Sequence, residues 1–388
     1  MENPVTNRAA RQHWDIFCTV IDNYGDIGVC WRLARQLVAE HACRVRLWVD
    51  DLPAFHRLCP ELDTRCDSQT LQGVEVRSWP APFPALSGND LPDGLIEAFA
   101  CTLPETYVET LARHAPHVRW INLEYLSAEN WVADCHGLPS PHPRLPLLKH
   151  FFIPGFDARS AGLLRERGLL AHHAEFDATA WWGKQGVTPE SEALRISLFA
   201  YDNRAIAALL DAWRKNERPH HCLVTDSRVL ASVNSALGRA LLPGDHVREQ
   251  SLALNVLPFM PQPAYDDLLA ACDLNFVRGE DSLVRAIWAG KPFVWHIYPQ
   301  SDAAHLVKLE AFLERYCAGL NAEAAHALRG FWLAWNAETA TADDWHGFSI
   351  HLPEIAAHTL RWREKLAQLP DLATTLVDFC AEKGKTQL

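Results

Sequence analysis

The sequence predicts an α/β protein built from two doubly wound domains, each a mostly parallel sheet covered by helices. Three observations predict it. Short apolar runs alternate with stretches of helical period along most of the chain, the pattern of parallel strands joined by helical crossovers. This alternation occurs twice, on either side of a weakly patterned, polar stretch at 155–192. The 388 residues are enough for two separate cores, at ~100–200 residues per domain.

The first series opens with a strand at 14–20 (WDIFCTV), the loop IDNYGDIG, a helix at 29–40 and a strand at 45–49 (VRLWV). Further strands are expected at 74–77 and 120–123, with a helix at 105–114 between them. Residues 138–146 (LPSPHPRLP) are rich in proline and read as an irregular surface segment. A strand at 151–154 closes the series. The second series has strands at 195–199, 222–225, 253–257, 274–277 and 293–295, and helices at 204–215, 227–241, 265–271 and 283–289. From 353 onward the pattern is mostly helical and is expected to pack back on the first domain. The expected domains are 1–180, joined by a helix at 366–388, and 181–365.

Composition narrows the function classes. Hydrophobic residues make up 48% and charged residues 22%, as in an ordinary globular protein. The net charge of -12 argues against a nucleic-acid or membrane-surface partner; it suits a cationic acceptor, or solubility alone. The eleven cysteines are odd in number and form no CxxC pair, which fits a reducing compartment better than a disulfide framework. The opening MENPVTNRAARQHW has no apolar signal core, and no run approaches the ~20 apolar residues that span a bilayer. A cytoplasmic location is expected.

In open parallel sheets, ligands bind beyond the carboxyl ends of the strands, so the loops that follow strands carry the candidate chemistry. The loop after the first strand holds Asp22 and Asp26, with Gly25 and Gly28 permitting a tight backbone. Either the two carboxylates work at the sheet mouth, or Asp26 is an N-cap and Asp22 a turn residue. The segment Arg278-Gly279-Glu280-Asp281-Ser282, with Ser282 as N-cap of the next helix, reads as a phosphate cradle to which Arg278 adds a charge-assisted contact. The same pattern also suits a capped helix with a solvated acidic turn. Phe199, Tyr201, Phe259 and Gln262 follow strands and could stack on and read a nucleotide base, or be core. There is no GxGxxG, Walker A, GxSxG, HExxH, cysteine cluster or Asp-x-Asp motif, so neither a dinucleotide, a serine nucleophile nor a metal is expected.

The segments WDIFCTVIDNYGDIGVCWRLARQL and RGEDSLVRAIWAGKPFVWHIYPQ together resemble the EarP family, the protein-arginine rhamnosyltransferases of bacterial elongation factor P. The likeness in length and layout covers nearly the whole chain, with Tyr24 where the family often has Phe. The resemblance implies a GT-B fold, two Rossmann-like domains facing a central cleft. It implies TDP-β-L-rhamnose as donor, an arginine of elongation factor P as acceptor, and an inverting transfer that needs no metal or other cofactor. Matched position by position, Asp22 and Asp26 correspond to the essential aspartates, with Asp26 the favoured base, and Glu280 to the essential glutamate. Tyr201, Phe259, Gln262, Asp281 and Ser282 match donor-contacting positions. Two other functions stay open from the residues alone: a GT-B transferase with a lipid or small-sugar acceptor, and a non-catalytic module that binds a basic protein through its acidic surface.

Overall fold

All six residues of β1 (His13–Cys18) are buried, as a central strand covered on both faces requires. The computed structural model describes residues 12–21, 24–86, 90–300 and 304–386, which fall into two units. The first comprises the described residues up to Glu166 and those from Leu369 on; the second runs Arg167–Gln368.

In the first unit, β1 is followed by α1 (Gly25–His41), β2 (Arg44–Val49), α2 (Leu52–Leu58), β3 (Ser68–Leu71), β4 (Val74–Ser78) and β5 (Gly94–Ala98). Then come α3 (Glu105–His114), β6 (Arg119–Leu123), α4 (Val132–Cys135), β7 (Pro139–Pro141) and β8 (Leu148–Phe152). The eight strands lie in the order β3-β4-β2-β1-β5-β6-β8-β7. Only the edge strands β3 and β7 run antiparallel to their neighbours. The proline-rich segment is therefore not wholly irregular. Its Pro139–Pro141 forms an edge strand, a place where missing N–H donors are tolerated.

A buried ionic cluster ties the centre of this sheet together. Asp15 and Arg46 are partners in the β1–β2 register, and the guanidinium grips the carboxylate through Nε at 2.7 Å and Nη2 at 2.6 Å. The Tyr107 hydroxyl donates to the same carboxylate at 2.6 Å. Burial, and then the carboxylate, push the Tyr107 phenol well above its ordinary pKa. Beside it, Gly94 opposes Trp14 across the β1–β5 ladder, and a Cβ there would come within 2.4 Å of the indole. Gly94→Ala should accordingly destabilise the protein by about 1–3 kcal/mol, the range for overpacked cores. Urea unfolding would test it; an unchanged midpoint would mean that Trp14 moves aside freely.

The second unit starts with α5 (Leu169–Glu175) and α6 (Ala178–Lys184). These helices lie within the segment read as a connector, and the 180/181 boundary falls inside α6. Trp181 and Trp182 pack against Leu223, Leu257 and Leu268 of the second unit, and Trp182 Nε1 donates to the carbonyl of Ala271 at 2.9 Å. There follow β9 (Leu194–Leu198), α7 (Ile206–Lys215), β10 (His220–Thr225), α8 (Val229–Leu237), β11 (His246–Glu249), β12 (Leu252–Leu257) and α9 (Gln262–Ala271). Next are β13 (Leu274–Arg278), α10 (Gly279–Ala289), β14 (Phe293–His296), α11 (Ala304–Tyr316), α12 (Ala322–Asn336), α13 (Ala342–Ser349) and α14 (Leu352–Ala367). The sheet order is β11-β12-β10-β9-β13-β14, parallel except for β11.

After α14 the chain returns to the first unit as α15 (Leu372–Thr386). The return is fastened at α1. Gln36 Nε2 donates to Asp371 Oδ1 and to the carbonyl of Arg165, both at 2.9 Å. The N–H of Leu372 donates to the carbonyl of Leu163 at 3.0 Å. Among the described residues no helix is long and apolar enough to cross a membrane. The eleven cysteines are all free thiols.

Candidate active site

Each sheet has one point where the chain changes direction across it. In the first unit β1 lies between β2 and β5, and in the second β9 lies between β10 and β13. Such switch points open a crevice at the carboxyl ends of the strands, where ligands bind. The candidate segments after β1 in the first unit, and after β9 and β13 in the second, each lie at the switch point of their own sheet; that of Phe259 and Gln262 follows β12.

Asp26 lies in the first turn of α1, whose N-cap residue is Tyr24 with no side-chain cap. Asp26 is therefore not the N-cap. Its carboxylate is 3% exposed and accepts the N–H of Ile21 at 2.9 Å, closing the loop back on itself. The loop is also tied to the end of β2, because the N–H of Val20 donates to Asp50 at 2.9 Å. Beneath it, a hydrogen bond to Cys30 and burial push the Cys18 thiol well above its ordinary pKa, and Asp26 adds to this. A thiol so shifted supplies no thiolate nucleophile. Asp22 lies outside the described residues.

In the second unit β13 runs directly into α10. Arg278 ends the strand with extended backbone, and Gly279 makes the turn at φ 65°, a conformation glycine adopts at little cost. The helix thus begins at Gly279, and Ser282 is inside it rather than at its N-cap. The buried Ser282 hydroxyl donates back to the carbonyl of Arg278, the i−4 pattern of a helical serine. Serine before an apolar run imitates a start signal; the glycine turn overrides it. Glu280 and Asp281 fill the first helical turn, half-buried. Gln262 is likewise not in a loop: it is the first residue of α9, and its Nε2 donates to Asp281 at 3.3 Å.

Around Arg278 the structure brings together Phe199 and Tyr201. Its guanidinium carbon lies 4.8 Å from the Phe199 ring centroid and 4.5 Å from that of Tyr201, both just past β9. Rings at this distance attract a guanidinium without removing its charge. Trp295 Nε1 donates to the carbonyl of Gly279 at 2.9 Å and steadies the turn. Phe259 follows β12, half-buried. The N-terminus of α10 offers backbone N–H groups and the positive end of a helix dipole beside a fixed guanidinium, a setting for an anion. His296, at the end of β14, was not singled out by the sequence because the expected strand stopped at 295; the structure pairs it in register with Arg278. Among the described residues no three His, Cys, Asp or Glu side chains gather where a metal ion could be held.

Comparison with known proteins bears on what this arrangement does. Residues 14–381 match the family model described as Elongation-Factor P (EF-P) rhamnosyltransferase EarP. A protein-arginine rhamnosyltransferase of Pseudomonas aeruginosa is 50% identical over 376 residues, covering 95% of this chain and 99% of that protein. A solved structure, reported as the structural basis for EarP-mediated arginine glycosylation of translation elongation factor EF-P, superposes with a TM-score of 0.66 at 37% identity, covering 96% of this chain and 99% of the other. The fold alone is shared with UGT89C1 of Arabidopsis thaliana complexed with UDP-L-rhamnose, at a TM-score of 0.53 and 12% identity over 96% of this chain and 99% of that one.

Proposed function

This chain belongs to the EarP family and is a protein-arginine rhamnosyltransferase of GT-B fold; from that premise we propose that it moves L-rhamnose from TDP-β-L-rhamnose to one arginine of elongation factor P, with inversion and without a metal. The observation that carries this reading is the buried Asp26 carboxylate, held at the switch point of the first unit by the N–H of Ile21.

The acceptor sets the chemical problem. A guanidinium is planar, cationic and essentially never deprotonated in water, hence a poor nucleophile. In the proposed reaction Asp26 orients it and takes one proton as an Nη atom bonds to the anomeric carbon. The product then keeps a single positive charge. Asp22 supports this geometry. The bond from the anomeric carbon to the diphosphate oxygen breaks as the new one forms, and attack from the opposite face turns the β-sugar into an α-rhamnosyl arginine.

The leaving diphosphate gains charge. Arg278, held against the rings of Phe199 and Tyr201, and the first N–H groups of α10 stabilise it, as fixed dipoles and cations do where charge develops. Glu280 and Asp281, in the same helical turn, take the sugar hydroxyls. Tyr201, Phe259, Gln262 and Ser282 complete the donor site around the base and diphosphate. With that charge met by protein groups, no metal ion is needed. The free thiols suit work in the cytoplasm.

Mass spectrometry tests the whole reading. Incubation with elongation factor P and TDP-β-L-rhamnose should add one deoxyhexose to a single arginine, and the yield should be unchanged by a strong chelator. An unmodified acceptor would sink the proposal, and activity lost on chelation would remove its metal-free part.

A further inference from the structure

The β13–β14 ladder pairs Arg278 with His296. Residues in register on neighbouring parallel strands point to the same face of a sheet. Tyr201 contacts both side chains. Its ring centroid lies 4.5 Å from the Arg278 guanidinium carbon, and the ring meets that of His296 edge-on at 5.2 Å and 84°. Behind His296 is Trp335 of α12, at 5.8 Å. A line of packed groups therefore runs from α12 through His296 and Tyr201 to Arg278.

His296 is 2% exposed, and its buried Nδ1 has no hydrogen-bond partner among the described residues. Burial lowers its pKa to about 4; Arg278 and His305 push the same way, and Glu338 opposes them. The ring is therefore neutral at physiological pH. The neighbourhood of Arg278 restricts what can stand there. A cation would repel the guanidinium, and a carboxylate would draw it away. An aliphatic side chain would offer Tyr201 no ring for an edge-to-face contact. A neutral imidazole is flat, compact and without charge.

We propose that His296 is a positioning residue for the donor: backed by Trp335, its flat ring holds Tyr201 against Arg278 and so sets the direction in which the guanidinium meets the diphosphate. This rests on the reading of Arg278 as a diphosphate contact. His296 itself need not touch the donor.

Calorimetric titration with thymidine diphosphate and steady-state kinetics with both substrates test it on the full chain. His296→Ala should raise the Kd for thymidine diphosphate and the KM for the donor about tenfold, while the KM for elongation factor P stays within about twofold, since coupling is confined to residues in contact. His296→Phe keeps a flat ring and should stay within about threefold of wild type. In a Tyr201→Ala background, His296→Ala should cost less than about twofold more, because the route to Arg278 is already cut. His296→Leu, similar in volume but not flat, replaces the alanine variant if that one does not fold.

Unchanged thymidine diphosphate binding in His296→Ala overturns the proposal. Equal losses with and without Tyr201 overturn it as well, as does a matching rise in the KM for elongation factor P. Arg278→Ala separates the two levels. If it leaves thymidine diphosphate binding intact, the diphosphate reading itself fails. If it weakens binding while His296→Ala does not, only the role of His296 falls.

Discussion

Asp26→Asn should lower the turnover of arginine rhamnosylation by about 10²- to 10⁴-fold, the range ascribed to a positioned general base, and leave thymidine diphosphate binding within about threefold. The substitution isolates the charge. Asp26 accepts the N–H of Ile21 at 2.9 Å, and an asparagine side-chain oxygen can accept the same bond. The loop is kept while the proton acceptor is lost. Kinetics under saturating substrates, with a separate nucleotide titration, would read both quantities. Turnover near the wild-type value would end the assignment of Asp26 as the base and turn attention to Asp22. Glu280→Ala offers the contrast: its loss should fall on donor binding or placement.

Arg46→Ala should lower the thermal midpoint of the first unit by on the order of 10 °C. It leaves the Asp15 carboxylate, 0% exposed, with its bidentate partner gone. Breaking a buried ion pair from one side costs about 3–5 kcal/mol, and each kcal/mol is worth ~2–4 °C in a unit of this size. Replacing the whole cluster should behave differently. With Asp15→Leu, Arg46→Met and Tyr107→Phe combined, no buried carboxylate is left without its guanidinium, and most of the lost stability should return. Calorimetry on both variants decides between them. A single variant that melts within about 2 °C of wild type would show that water or a neighbour rescues the carboxylate.

The two-domain α/β plan was legible because it depends on local pattern, apolar runs punctuated by helical periods. What long-range contacts decide was not legible. β5 went unseen: it is five residues long and carries Glu97 in its interior. That carboxylate is tolerated because Trp120 Nε1, 23 residues away, donates to it at 2.9 Å, and Lys149, 52 residues away, pairs with it at 3.2 Å. At the candidate site, the place of Asp26 just after β1 and of Arg278 at the end of β13 could be read from sequence to within a residue or two. The contacts of Arg278 with two rings could not, because Phe199 and Tyr201 arrive from another strand. Ser282 was misassigned as a cap for a local reason: the glycine turn at Gly279 starts the helix earlier than the serine suggests.

The return of α15 to the first unit reverses the usual order of biosynthesis. A nascent chain ordinarily completes its N-terminal domain first, as it leaves the ribosome. Here the strand and loop that carry Asp26 emerge early, but residues 369–388 follow the entire second unit. Until they appear, Gln36 lacks Asp371 and the carbonyl of Leu163 lacks Leu372. The second unit can thus mature on a chain whose first unit is still incomplete. Translation that stalls or stops before α15 spares the half proposed to hold the donor and deprives the half proposed to hold the arginine. In that sense α15, made after the whole second unit, acts as the checkpoint for the sheet that β1 opened.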